Sequence, residues 1–111
     1  MSGRGPGFVV LYRWRLHPGM EEAFIEAWSR ITAHYREKGS LGSRLHRGSD
    51  GLFYGYAQWP SDAARQNAFT EPGDPADAER MRSAVAERFP EIQLESLADY
   101  LVLPAQAGSA G

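Results

Sequence analysis

The sequence predicts an α+β domain with the element order β-α-β-β-α-β, and three stretches carry that prediction. Phe8 to Leu16 alternates with period two, and Met20 to Lys38 spaces its apolar residues by three and four. Gly39 to Trp59 reads as two strands folded back at Asp50-Gly51. Period two, then a helical period, then period two again marks a strand, a helix and a hairpin in succession.

Met1 to Gly7 (MSGRGPG) is a Gly/Ser/Pro arm expected to be flexible. Phe8, Val10, Tyr12, Trp14 and Leu16 then share one strand face, with Val9, Leu11, Arg13 and Arg15 on the other. Apolar residues on both faces suit a central strand covered on both sides. His17-Pro18-Gly19 breaks it. The helix that follows carries Met20, Ala23, Phe24, Ala27, Trp28, Ile31 and Tyr35 on one stripe. Glu21 and Glu22 in its first turn and Arg36 and Lys38 in its last match the helix dipole, and Gly39 supplies the stop. Burying each large residue of the stripe stabilises by about 1.5–3 kcal/mol, so this helix must lie on a sheet.

Asp50-Gly51 signals a two-residue type I′ turn, which needs positive φ at both central positions. In that register Arg47 faces Tyr54, His46 faces Gly55, Leu45 faces Tyr56, Arg44 faces Ala57 and Gly42 faces Trp59. Paired residues share a face. One face then carries Leu41, Leu45, Tyr54, Tyr56 and Gln58; the other carries Arg44, His46, Phe53 and Trp59 around Gly42, Gly55 and Ala57. The second face has space above its small residues, to be filled by a helix or left as a pocket.

Beyond the hairpin, Ser61 caps a short helix to about Phe69, and Glu71 to Asp74 form a loop. Asp74 caps a second helix with Pro75 at its first position, carrying Ala78, Met81, Val85 and Phe89 on one face until Pro90 ends it. Ile92 and Leu94 alternate but Leu97 falls out of phase, so a bulge or a loop at Ser96 precedes a last strand from Leu97 to Leu103. Residues 104–111 are an Ala/Gly/Ser tail expected to be flexible, which leaves a single domain over residues 8–103. The order is that of the ferredoxin-like split βαβ arrangement, an antiparallel sheet with helices on one face. Its other face, with Val9, Leu11, Leu45, Tyr54 and Tyr56, is too apolar to leave in water, so a homodimer through the sheet faces is expected.

At 111 residues the chain supports one core. Acidic residues exceed basic ones by 14 to 12, and no basic run interleaves with aromatics, so nucleic acid is not an expected partner. Absence of cysteine excludes thiol nucleophiles, disulfides and cysteine metal sites. No apolar signal core opens the chain and no stretch approaches the roughly 20 apolar residues of a membrane span, so no membrane partner and a cytoplasmic location are expected. His17, His34 and His46 have no metal-ligand spacing, and no metal site is expected.

Four segments carry a family resemblance: Tyr12 to Gly19 (YRWRLHPG), the helix with Phe24 and Trp28, Gly39 to Arg47 (GSLGSRLHR), and Tyr56 to Ser61 (YAQWPS). Together they resemble the antibiotic biosynthesis monooxygenase family, and the likeness runs from about Phe8 to Leu103. The resemblance implies a dimeric α+β barrel with a cleft between sheet and helices in each subunit. It also implies oxidation of an anthrone-type or quinol substrate with O₂ as co-substrate and no cofactor. A haem-degrading branch uses a first-strand Asn, a Trp ending the third strand and a His on the next helix. Trp59 matches the Trp, but Tyr12 stands at the Asn position and residues 61–69 contain no His, which disfavours haem.

Oxygenation without a cofactor needs an electron-rich anion, so the protein must supply a base, donors to the anion and a dry pocket. His46 is the candidate base, with Arg44 beside it to stabilise a substrate oxyanion. Trp59 and Tyr12 are the candidate cleft walls, the Tyr hydroxyl orienting a substrate oxygen, with Trp14, Trp28 and Phe53 as further contacts to a small aromatic ligand. The plain alternatives are a solvated strand for Arg44 and His46, and core packing for the aromatic residues. Two other functions fit the same fold: a non-catalytic dimeric module binding a small hydrophobe or a partner, and a cofactor-free isomerase or lyase using the His as proton shuttle.

Overall fold

The structure is a computed structural model and describes residues 7–102. The elements are β1 (Phe8–Leu16), α1 (Glu21–Arg36), β2 (Gly42–Arg47), β3 (Phe53–Trp59), α2 (Asp62–Ala68), α3 (Pro75–Ala84), β4 (Val85–Arg88) and β5 (Ile92–Leu94). They form an antiparallel sheet in the order β2-β3-β1-β4, with β5 also paired to β1. This is the expected ferredoxin-like α+β arrangement. β1 lies inside the sheet, and Val9 and Val10, which point to opposite faces, are both buried. The helix starts are those the sequence predicts. Ser61 Oγ accepts from the Ala64 N–H at 3.0 Å, and an Asp74 carboxylate oxygen accepts from the Ala76 N–H at 2.9 Å.

Helix α1 lays Phe24 and Ala27 on the sheet. Phe24 meets Trp14 edge-on at 5.0 Å and Phe53 at 5.9 Å between ring centroids, and these three with Ala84 form one core cluster. A second cluster joins Ala57, Trp59 and Ala68, flanked by Phe8, Tyr12 and Tyr35. The cavity described below lies beside both.

Three expectations are corrected. The hairpin is closed by three residues, not two: Gly48 N–H donates to Leu52 O at 2.7 Å, and Gly51 N–H to Gly48 O at 3.0 Å. A type I′ turn is excluded because no described non-glycine residue has positive φ, whereas Gly51 sits at 85°. This is a type I turn followed by a glycine bulge. Asp50 selects it by accepting from the Leu52 N–H at 3.0 Å and from the Tyr54 hydroxyl. Arg47 therefore pairs with Phe53, His46 with Tyr54, Leu45 with Gly55 and Arg44 with Tyr56. A slip of one residue turns β2 over: Leu45 joins the helix-covered face, and Arg44 and His46 move to the other.

The second long helix stops at Ala84 rather than running to Phe89. β-Branched Val85 is extended (φ −94°, ψ 121°), and His17 N–H takes the last carbonyl, Ala84 O, at 2.9 Å. Val85 to Arg88 then pair with the far half of β1, which would otherwise be an open edge. Consequently the last strand is not Leu97 to Leu103. The edge is filled by β4 and β5, and residues 95–102 have no strand partner, Leu103 lying outside the described residues. A bulge does exist, but earlier than Ser96: residues 89–91 oppose only Tyr12 and Arg13, around Pro90, which has no N–H to give the ladder. The expected N-terminal arm (residues 1–6 of it) and the tail at 104–111 lie outside the described residues. Among the described residues no helix is long and apolar enough to cross a membrane.

Candidate functional site

Between the helix-covered sheet face and the helices lies a cavity of about 350 Å³. Its floor is Tyr12 and Trp14 of β1, Ser43 of β2, and Gly55, Ala57 and Trp59 of β3; Trp28, Ile31, Thr32 and Tyr35 of α1 roof it. Phe69, Met81, Ser40 and Arg88 complete the walls. The space exists because β3 places only glycine and alanine between Phe53 and Trp59 on this face. Part of it is taken by Trp14, whose ring tip lies across Gly55: a Cβ there would be 2.9 Å from the indole.

The aromatic walls brace one another. Tyr12 stacks on Trp14 at 5.7 Å and 9° between planes. Tyr35, Trp59 and Phe69 form a triangle of edge-to-face contacts at 6.4, 5.9 and 5.2 Å. Such arrangements set the ring quadrupoles favourably and resist rotation.

Polar groups in the lining are few. Tyr12 Oη accepts from Arg65 Nη2 at 2.9 Å, and the same nitrogen donates to Glu91 Oε2 at 2.9 Å. Arg65 is only 4% exposed, packed under Phe69 with its guanidinium 4.9 Å from that ring centroid. Burial raises the Tyr12 phenol above its ordinary value, and the Arg65 hydrogen bond and charge oppose that rise without cancelling it. Tyr12 therefore stays protonated at neutral pH. Burial pushes Tyr35 up as well. Trp59 is 3% exposed, and its indole N–H has no partner among the described residues. The lining includes one guanidinium, that of Arg88, and no described carboxylate or imidazole.

The structure thus brings together Tyr12, Trp14, Trp28 and Trp59 of the residues expected at the site. Phe53 belongs to the adjoining core with Phe24 and Trp14, outside the cavity. Arg44 and His46 are exposed on the opposite sheet face, beside Tyr56 and Tyr54, because of the turned strand. His34 is tied to the Glu71 carbonyl at 2.6 Å and His17 is exposed in its turn, so no imidazole reaches the cavity. Among the described residues no group of three His, Cys, Asp or Glu side chains is placed to hold a metal ion.

Sequence reasoning missed Arg65, Phe69 and Arg88. Arg65 carried a signal: with Ala68 it is one of the two buried positions of α2, so it is a charged residue on an inward stripe. Arg88 carried none, since the helix reading of residues 85–89 hid its place on a strand.

The model of the antibiotic biosynthesis monooxygenase family matches residues 7–73. No curated protein matches the chain. Among solved structures, SnoaB, a cofactor-independent oxygenase from Streptomyces nogalater, superposes with a TM-score of 0.71 at 18% identity, covering 84% of this chain and 95% of that one. PA3566 from Pseudomonas aeruginosa gives 0.67 at 23% identity, covering 88% and 100%. Rv0793 from Mycobacterium tuberculosis gives 0.68 at 17%, covering 85% and 98%. At these identities the structures speak for the fold alone.

Proposed function

This chain belongs to the antibiotic biosynthesis monooxygenase family, and we propose that it is a cofactor-independent monooxygenase that oxidises a small anthrone-type or quinol compound with O₂ in the Trp59 cavity. The observation that carries the reading is the lining: aromatic walls, with the Tyr12 hydroxyl and the Arg88 guanidinium among them as donors. The likeness to SnoaB supports the absence of a cofactor.

For an anthrone the balance closes without an external reductant. The ring CH₂ loses a proton, its carbanion passes one electron to O₂, and the radical pair joins as a peroxide anion, which takes a proton from water to become the hydroperoxide. Loss of water from the hydroperoxide leaves a carbonyl, so one oxygen atom stays in the product and the other leaves as water. The protein's task is to hold the anion and keep the reaction dry. Tyr12, kept neutral by burial, donates to the substrate oxyanion, Trp59 is part of the apolar wall, and Arg88 offsets the charge. No described side chain in the lining can act as a base at neutral pH, so the substrate enters as its anion and His46 has no part in the step. That lack of a base favours a second reading, a passive binder of small aromatics. It gives the isomerase reading no proton shuttle.

The active form in this reading is a homodimer. Leu11, Tyr54 and Tyr56 on the outer sheet face are half-buried, and Leu97, Tyr100, Leu101 and Val102 beside it are 87, 93, 80 and 74% exposed. That much apolar surface needs a cover, and a second copy supplies a matching one.

The test is oxygen uptake by the purified protein with a panel of anthrones and hydroquinones and no cofactor. Uptake above the spontaneous rate is expected, reduced about tenfold or more in Tyr12→Phe, which loses one donor to an anion, and unchanged in His46→Ala. Saturable binding without uptake by any compound selects the passive binder instead.

A further inference from the structure

We propose that Arg65 is a positioning residue: bridged to Glu91, it fixes Tyr12 as a one-way hydrogen-bond donor into the cavity, so that the cavity selects ligands presenting an acceptor oxygen, a ring carbonyl or phenolate, at that point. The ligand half of this rests on the cavity being a binding site for ring compounds; the Arg65–Tyr12 half does not.

A guanidinium carries donors only. Arg65 Nη2 has one hydrogen on Tyr12 Oη and the other on Glu91 Oε2, both at 2.9 Å, and neither can be turned round. The Tyr12 oxygen is therefore an acceptor on that side. Its own hydrogen must lie near the ring plane on the other side, and no acceptor for it exists among the described residues. A ligand oxygen in the cavity is the partner it lacks. Without Arg65, the same hydroxyl could turn to donate to the Glu91 carboxylate, and the cavity would lose its donor.

The burial of Arg65 argues for such a role. A charge at 4% exposure is costly, and an apolar residue of similar size would fill this place between Phe69 and Tyr12 at least as favourably. What an apolar residue cannot do is choose the direction of the phenol hydrogen. The charged and titratable groups facing Tyr12 are Arg65 from α2, Glu91 between β4 and β5, Arg88 from β4 and Tyr35 from α1. Arg65 is the one bonded to it.

Two readouts on the full chain decide this. With tyrosine labelled at the phenolic carbon, the NMR titration of Tyr12 is assigned through Tyr12→Phe among the five tyrosines. Arg65→Met removes a donor and a positive charge from the phenol, so the Tyr12 titration moves to higher pH. Arg65→Lys keeps the charge without the planar fork and shows a smaller shift; it also serves if the Met variant does not fold. The second readout is quenching of the cavity tryptophans by 9-fluorenone and by fluorene, one skeleton with and without a carbonyl and neither of them a substrate. The wild type prefers the ketone roughly five- to tenfold, the worth of one ordinary hydrogen bond, and the preference disappears in Tyr12→Phe and in Arg65→Met. A Tyr12 titration unmoved in both Arg65 variants overturns the positioning role. Equal binding of the two probes by the wild type, or binding of neither, overturns the ligand half. Ketone preference without any oxygen uptake leaves this inference standing and defeats only the oxygenase reading.

Discussion

Gly55→Ala tests whether the cavity wall is rigid. Gly55 has ordinary strand φ, so alanine brings no backbone strain and should even help, since glycine in a strand costs roughly 0.5–1 kcal/mol. Against that stands contact. The new Cβ would lie 2.9 Å from Trp14 Cη2 and 3.0 Å from Cζ3, where ordinary contact begins near 3.4 Å, so the indole must withdraw by about half an ångström. Trp14 is 4% exposed, stacked on Tyr12 and set edge-on to the fully buried Phe24, so its ring cannot move alone. Overpacking of this kind costs about 1–3 kcal/mol. The balance is a loss of about 1 kcal/mol or somewhat more, which lowers the melting temperature by roughly 4–8 °C per kcal/mol in a domain of this size. Calorimetry with urea unfolding checks it, and near-ultraviolet dichroism reports the displaced indole. An alanine variant as stable as the wild type would mean that Trp14 yields freely into the cavity. The stacked wall would then be no fixed surface, and Tyr12, which stacks on Trp14, would not be held in one place to choose a ligand oxygen.

Two smaller predictions concern the hairpin and the outer face. The Asp50 carboxyl is held below its usual value, chiefly by the Tyr54 hydroxyl and then by the Leu52 N–H. A depressed folded value means that the contribution is complete above the ordinary carboxylate range and is lost as pH falls from about 4 through the folded value. Exchange of the Leu52 amide should accelerate in that window, and Asp50→Asn should remove the pH dependence; a flat profile in the wild type contradicts the turn geometry. Leu101→Asp puts a charge into the exposed apolar segment beside Tyr56. Sedimentation should show the wild type as a dimer and this variant shifted towards monomer, and an unshifted variant would remove residues 97–102 from the interface.

The strands, helices and caps were legible because each has its own period or end signal. β3 announces its inner face by alternation alone, Phe53, Gly55, Ala57 and Trp59 being buried in turn. β2 does not: Ser43, Arg44, Leu45, His46 and Arg47 contain one apolar residue, so its orientation hangs entirely on the turn. Asp-Gly fits a two-residue I′ loop and a three-residue bulged loop equally well by composition. What distinguishes them is the turn's backbone, with positive φ at Gly51 and not at Asp50, together with the Asp50 contacts to Leu52 and Tyr54. The aromatic half of the site, on strands of clear phase, was therefore readable, and the supposed His–Arg half was not.

That one-residue difference changes the chemistry, not only the map. With His46 inside, the cavity would hold a base beside a cation and could ionise a weakly acidic substrate. With His46 turned to the outer face, the cavity holds donors and a cation but no described base, so it stabilises an anion it has not made. The pH dependence of turnover should then follow the ionisation of each compound rather than one protein group. Two anthrones of different acidity would show rate profiles displaced from each other by the difference in their own ionisation. A common midpoint near the imidazole range for both would put a protein base back into the step.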